Sequence, residues 1–465
     1  MKKSGIIAFL IVFCIILTSC AANAEETVPD YDIVITSDNA DLLGYEYIIA
    51  AGTHGGGQVQ LAPEPGSDIR GDRLLQRYKD VEDKFNMKLT VIGECNLGAF
   101  MTLWAAGIKY ADLVIAQAAE MATGRYVQNG FFLPFSDMDI DLFSGLYGTQ
   151  GMLDAGCFDG KYYCIMSYYW GLPSPYTMPA MWYNPRVLST YQQAMPHELE
   201  EQGEWNWAAF EKICEAVHDT SSPDEKDHVY AVSALSEPFL ELAAMYSNGA
   251  RPVTKGEDGK LYCTLNSKNT LEALEFIKSL EDRKLIGDRR NADNQDVTEF
   301  VENRNAFFLQ YTHSGLSSED PNNLANRMDD AYEWTMFPTG PSYDPSMSRT
   351  AYSYHSRFYF APGNSDPEVH SVVLPFLFQP LPGETTDTWQ DVLERNNFFS
   401  KESFEIYCKI RDEAFYDYAP YIPYTDMNAV LSKITTGSAV ASEAMESIES
   451  SIQASLDKLY NNYID

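Results

Sequence analysis

The chain has 465 residues, enough for two or three domains, and its 45% apolar content is that of a globular protein. Its 33 basic residues stand against 67 acidic ones, a formal net charge of −34. A surface of that sign repels phosphate backbones and anionic lipid, which argues against nucleic-acid binding and a polybasic membrane patch and favours neutral or cationic ligands.

Lys2 and Lys3 precede an apolar run from Ile6 to Leu17, followed by Leu17-Thr18-Ser19-Cys20. A charged start, a short apolar core and small residues mark a signal peptide, and the run is too short for a permanent span of about 20 residues. Leu-Thr-Ser-Cys resembles the bacterial lipobox, which implies lipidation of Cys20 by palmitate-type acyl chains and a membrane anchor outside the cytoplasm. Two or more chains anchor stably where one does not. Residues 1–20 are then the leader and its cysteine, and 21–40 a flexible tether.

Tyr45 to Ala51 is a strand that runs into Gly52-Thr53-His54-Gly55-Gly56-Gly57. The spacing is not GxGxxG and no GK[ST] follows, so this is a strand-end loop rather than a phosphate cradle. Arg70 to Asn86 repeats apolar residues at Leu74, Tyr78, Val81 and Phe85, one face of a helix, and Lys88 to Ile92 is a strand. Strand, helix, strand implies parallel pairing with a right-handed crossover. Asp112 to Ala116 is a further strand whose loop offers Gln117 and Glu120. A helix follows through Tyr126 and Val127 and stops at Asn129-Gly130. Ligands bind at the carboxyl ends of strands in such sheets, which makes Gln117 and Glu120 candidate contacts.

Near Asp137 the composition shifts. Tyr162 to Ser167 is expected as a strand, followed by a loop dense in rings at Tyr168, Tyr169, Trp170 and Tyr176, and by a strand from Met181 to Pro185. Trp205 to Val217 is a helix with Asn206 as its cap. Tyr230 to Leu235 is apolar, Glu237-Pro238 turns, and Phe239 to Tyr246 is a helix ending near Asn248-Gly249. Leu271 to Leu285 is a helix capped by Asn269 or Thr270. Ala306 to Leu309 is a buried strand leading into Gln310-Tyr311-Thr312-His313. Tyr352 to Phe360 is a strand, and Glu368 to Phe378 and Ala444 to Tyr463 are helices.

Catalytic signatures fail one by one. His197-Glu198 opens like HExxH, but Glu201 stands where the second histidine belongs. Asp137, Asp139 and Asp141 begin like a calcium loop, yet Leu142 and Gly148 occupy its glycine and glutamate positions. There is no GxSxG elbow or P-loop. The cysteines beyond Cys20 form no CxxC pair, so a zinc framework is not supported. Cys157 and Cys164, straddling Asp159-Gly160, are the closest candidates for a disulfide, a pairing that sequence alone leaves open.

The lipobox at Cys20, then RLLQRYKDVEDKFNMKLTVI, DLVIAQAAEMATGRYVQNGFFLPFSDM, FDGKYYCIM, MWYNPRVL, GEWNWAAFEKICEAV and FVENRNAFFLQYTHSG follow one another in an order that resembles the family 1 extracellular solute-binding proteins. These are carbohydrate-type receptors of bacterial ABC importers. The resemblance implies an α/β, two-lobed periplasmic-binding-protein type II fold, each lobe a mixed, mainly parallel sheet flanked by helices. Lobe one would comprise 41–138 and 350–380, and lobe two 145–345 and 381–465. Hinge crossings would lie near Asp137 to Leu146, Ser346 to Ala351 and Gln379 to Gly383, and the lobes would close on a ligand. Aromatic faces stack on sugar rings, and carboxylates and amides bond hydroxyls. On that logic the ligand contacts would be Thr53, His54, Gln117 and Glu120 from lobe one. Tyr169, Trp170, Glu237, Asn248, Tyr311 and His313 would come from lobe two, with Tyr354 and Arg357 on the returning strand. The implied protein is a monomeric receptor and not an enzyme, without cofactor or metal, whose partners are a small solute, an oligosaccharide or sugar, and ABC permease subunits. The alternatives are a lipid-anchored receptor for peptides or another non-sugar ligand, and a surface glycan-active enzyme.

Overall fold

The computed structural model describes residues 40–51, 61–66, 68–93, 96–117, 124–170, 177–178, 180–234, 239–287, 295–316, 323–352, 356–385, 394, 398–418 and 424–464. The strands of its two main sheets, in chain order, are β1 (Glu46–Ala50), β2 (Lys88–Ile92), β3 (Leu113–Gln117), β4 (Phe132–Leu133), β5 (Ala180–Tyr183), β6 (Tyr230–Ala234), β7 (Asn305–Gln310), β8 (Glu333–Thr335) and β9 (Arg357–Pro362). The helices that frame them include α1 (Ile69–Phe85), α2 (Phe239–Ser247), α3 (Lys268–Asp282), α4 (Pro367–Leu377) and α5 (Lys401–Glu413).

The first sheet has the order β2-β1-β3-β9-β4 and the second β8-β5-β7-β6. β1 pairs in parallel with both β2 and β3, as the crossover through α1 requires. α1 begins where the Asp68 carboxylate accepts the Arg70 and Gly71 N–H groups, and it ends on Asn86 at φ 47°. Asparagine tolerates that left-handed conformation, so the boundary is written in the sequence. β9 then lies antiparallel beside β3, returning to the first lobe after the second has been built. In the second sheet β6 and β7 are parallel, while β5 runs antiparallel to β7 and β8.

A small three-stranded sheet joins the two. Ala351–Tyr352 pairs with Thr177–Met178 on one side and Phe415–Tyr416 on the other. The single strand expected over Tyr352 to Phe360 is therefore two: its start belongs to this joining sheet and its remainder is β9. The first crossing is expected near Asp137 to Leu146, with residues from 145 onward in the second lobe. Within that run, paired backbone bonds with Tyr359 (3.0 and 2.9 Å) hold Ile165 against β9, while Phe158 packs edge-on against Tyr460 at 4.9 Å.

Other boundaries moved for local reasons. α3 is capped by Ser267, whose hydroxyl accepts the Thr270 N–H at 3.3 Å, rather than by Asn269 or Thr270. The last helix, Ala441–Leu459, stops short of Tyr463 because Asn461 turns to bond the Leu261 backbone, accepting its N–H at 2.7 Å and donating to its carbonyl at 2.8 Å. Cys157 and Cys164 are free thiols, not a bridge. Cys20 lies outside the described residues, and among those described no helix is long and apolar enough to cross a membrane.

Candidate functional site

Two strand ends approach the joining sheet, one from each main sheet. In the first, β3 finishes at Gln117, and the residue directly opposite on β9 is Arg357. Side chains opposite one another on antiparallel strands share a face, so an amide and a guanidinium sit side by side at this edge. In the second, β7 finishes at Gln310 opposite Ala180, and the turn Thr312–Gly315 follows at once. Ala180 comes just after the joining strand Thr177–Met178, and Arg357 shortly after Ala351–Tyr352, a run that can span at most roughly 17 Å. Short runs of chain therefore tie both strand ends, Gln117 with Arg357 and Gln310 with Tyr311, to the same joining sheet.

Beyond Gln310 the side chains are aromatic. Tyr311 meets Phe239, the first described residue of α2, edge-on at 4.8 Å, and stacks with His313 at 5.7 Å. Tyr169 is half-buried with its ring edge-on to Tyr168 at 5.1 Å, and its carbonyl accepts a bond from Arg70 at 2.5 Å. Gln117, Arg357, Tyr169, Tyr311 and His313 are thus each placed at a strand end or beside the joining sheet. Thr53, His54, Glu120, Glu237 and Tyr354 lie outside the described residues.

Two candidates have other employment. Trp170, only 4% exposed, is wedged in the first-lobe core between Phe378 (5.4 Å) and Tyr78 (6.3 Å). It and Tyr169 pack on the first lobe, not on the second as expected. Asn248 is fully buried: its amide donates to the Asn269 carbonyl (2.9 Å) and Glu272 (3.0 Å), and its oxygen accepts the Ser342 N–H (2.8 Å). A side chain whose bonds are all made inside the protein ties α2 to α3 and has little left for a ligand.

The sequence reading missed the residues that hold this region in place. Arg411, on α5, is 4% exposed and lies with Phe404 and Tyr407 on the buried face of that helix. Its guanidinium sits 4.3 Å from the Tyr168 ring centre and donates to the Tyr168 hydroxyl at 2.5 Å. Burial pushes the Tyr168 phenol up against the opposing pull of Arg411, so it keeps its proton and donates to Asp412 at 3.2 Å. The available signal was an arginine seven positions after Phe404 on an otherwise apolar stripe. Among the described residues no group of three or more His, Cys, Asp or Glu side chains is placed to hold a metal ion.

No protein-family model matches the sequence, and no curated protein matches it. Solved structures do match in fold. A sugar transporter of Rhizobium etli in an open conformation is 13% identical, covering 88% of this chain and 100% of that one, with a TM-score of 0.63. A cyclo/maltodextrin-binding protein complexed with maltotetraose is 14% identical, covering 89% and 96%, with a TM-score of 0.61. The GacH receptor of Streptomyces glaucescens, solved unliganded and with acarbose, is 12% identical, covering 90% and 100%, with a TM-score of 0.56. With two mixed sheets, a joining sheet and this likeness over nearly the whole described chain, the protein has the two-lobed periplasmic-binding-protein fold.

Proposed function

We propose that the protein is an extracytoplasmic solute-binding receptor that captures an oligosaccharide between its lobes and delivers it to an ABC importer. The observation that carries this reading is that a strand end of each main sheet connects by a short run to the joining sheet, with ring-bearing and hydrogen-bonding side chains at those ends. The half-buried Tyr169 and His313 supply rings, the buried Tyr311 backs His313, and Gln117 and Arg357 supply bonding groups for hydroxyls. Thr53, His54, Glu120, Glu237 and Tyr354, outside the described residues, remain in the proposed set of ligand contacts. The similar folds whose bound ligands are maltotetraose and acarbose support a sugar of several rings. The reading makes the protein a receptor rather than an enzyme. Cys20 would carry the lipid anchor that keeps it beside the permease.

A thermal-shift screen with maltotetraose, acarbose and a set of short peptides tests it, because a ligand that binds only the folded state raises the melting temperature. An oligosaccharide is expected to raise it by several degrees. A shift with peptides and with no sugar would replace the carbohydrate reading by a peptide one. Mass spectrometry of the mature amino terminus tests the anchor, and an unmodified Cys20 would remove it.

A further inference from the structure

The contact between Arg411 and Tyr168 joins two parts of the molecule that otherwise belong to different lobes. α5 is a second-lobe helix. Phe404, Tyr407 and Ile410 pack with Trp182, Trp334 and Phe308 in one apolar cluster, and the Ser403 hydroxyl accepts the Trp334 N–H at 2.7 Å. Tyr168 belongs to the first lobe: its N–H bonds the Leu146 carbonyl at 3.3 Å, and Ile165 just before it is paired with Tyr359 of β9. The contact is made from the last turn of α5.

That crossing lies beside the joining sheet, where a small change of angle becomes a large movement at the lobe tips. Tyr352 donates to the Arg411 carbonyl at 2.6 Å and bonds Thr149 at 3.0 Å, so the central joining strand is fastened at the same spot. The packing there leaves no slack. A methyl group on Gly151 would stand 2.0 Å from the Ala414 carbonyl oxygen.

We propose that Arg411 is a positioning residue whose clamp on Tyr168 sets the angle between the lobes and holds the neighbouring Tyr169 in place. The side chain is suited to this. A planar guanidinium stacks on a ring and bonds its hydroxyl together, and Asp412, which accepts from Arg411 at 2.8 Å and from Tyr168 at 3.2 Å, closes the triangle. Lysine could keep the charge but not the stack and fork. The inference stands on the two-lobed fold and holds whatever the ligand is.

Small-angle scattering of the ligand-free mature protein tests it, with Arg411→Met, Tyr168→Phe and, as a control on the exposed start of the same helix, Lys401→Ala. The radius of gyration is expected to depart from that of the parent protein most in R411M and less in Y168F, which keeps the ring, while K401A superimposes. Amide exchange over 411–416 and 165–169 should quicken on the order of tenfold in R411M, the scale of one charge-assisted hydrogen bond. Unchanged scattering and exchange in folded R411M and Y168F would overturn the proposal. If R411M does not fold, Y168F decides alone. Maltotetraose binding is measured separately, so a protein that ignores the sugar but changes angle refutes only the carbohydrate reading.

Discussion

In the first lobe the sheet is fastened by buried polar side chains. Asp112 accepts from the Tyr45 hydroxyl at 2.5 Å, the Ile48 N–H at 2.7 Å and Lys109 at 2.9 Å. Behind it His370 bonds Tyr47 and Ser365, each at 2.9 Å. The second lobe does the same work with rings. Phe308, Trp182 and Trp334 stand directly opposite one another across β7, β5 and β8, with Trp182 stacked on Phe308 at 5.6 Å and edge-on to Trp334 at 5.0 Å. The polar bonds select one register and depend on protonation. The rings supply buried area and are indifferent to pH.

Removing a ring of the second lobe costs the most stability. Trp334→Ala leaves a cavity against Trp182 and Tyr407 and should cost about 3 to 5 kcal/mol, read from urea unfolding. A loss below about 1 kcal/mol would mean that the ring row is not the second lobe's support. Asp112→Ala strands Lys109 and two donors in the first lobe and should cost about 3 kcal/mol, with the loss confined to first-lobe amides in hydrogen exchange. Equal loosening of both lobes would erase the contrast.

The pH dependence sharpens it further. Burial pushes the His370 imidazole down to about 3, helped by the Lys109 charge. The Ser365 proton goes to the Pro362 carbonyl at 2.6 Å, so Nε2 donates to Ser365 and Nδ1 accepts from Tyr47, the neutral ring. The unfolded chain takes up the proton near pH 6.5, the folded one does not. The stability is therefore whole above about 6.5 and is lost as pH falls toward 3, by about 2 kcal/mol between pH 6.5 and 5. His370→Gln should flatten that slope, measured as unfolding midpoints at the two pH values. A parallel slope in the variant would show that the proton is taken up elsewhere.

Much of the architecture was legible beforehand because it rests on short-range rules. Asn86 closes α1, Asn206 caps the helix Trp207–Val217, and the apolar run at Ala306 to Leu309 is the centre of β7. The Gln117 strand end was legible for the same reason, since a strand that stops at a polar residue declares its edge. Its partner Arg357 was named too, but the direct pairing of the two required the register of β9 against β3.

The sequence by itself thus determined most of the periodic elements, a cap such as Asn206, the acidic composition and the absence of a catalytic signature in the motifs it contains, all of them properties of neighbouring residues. Only the tertiary structure decided which lobe Tyr168 to Trp170 pack against, that Trp170 is core and Asn248 a fastening between helices, and that Arg411 reaches across to Tyr168. Those are contacts between residues far apart in the chain. Their partners are selected by how sheets and helices pack, and no local pattern carries that information.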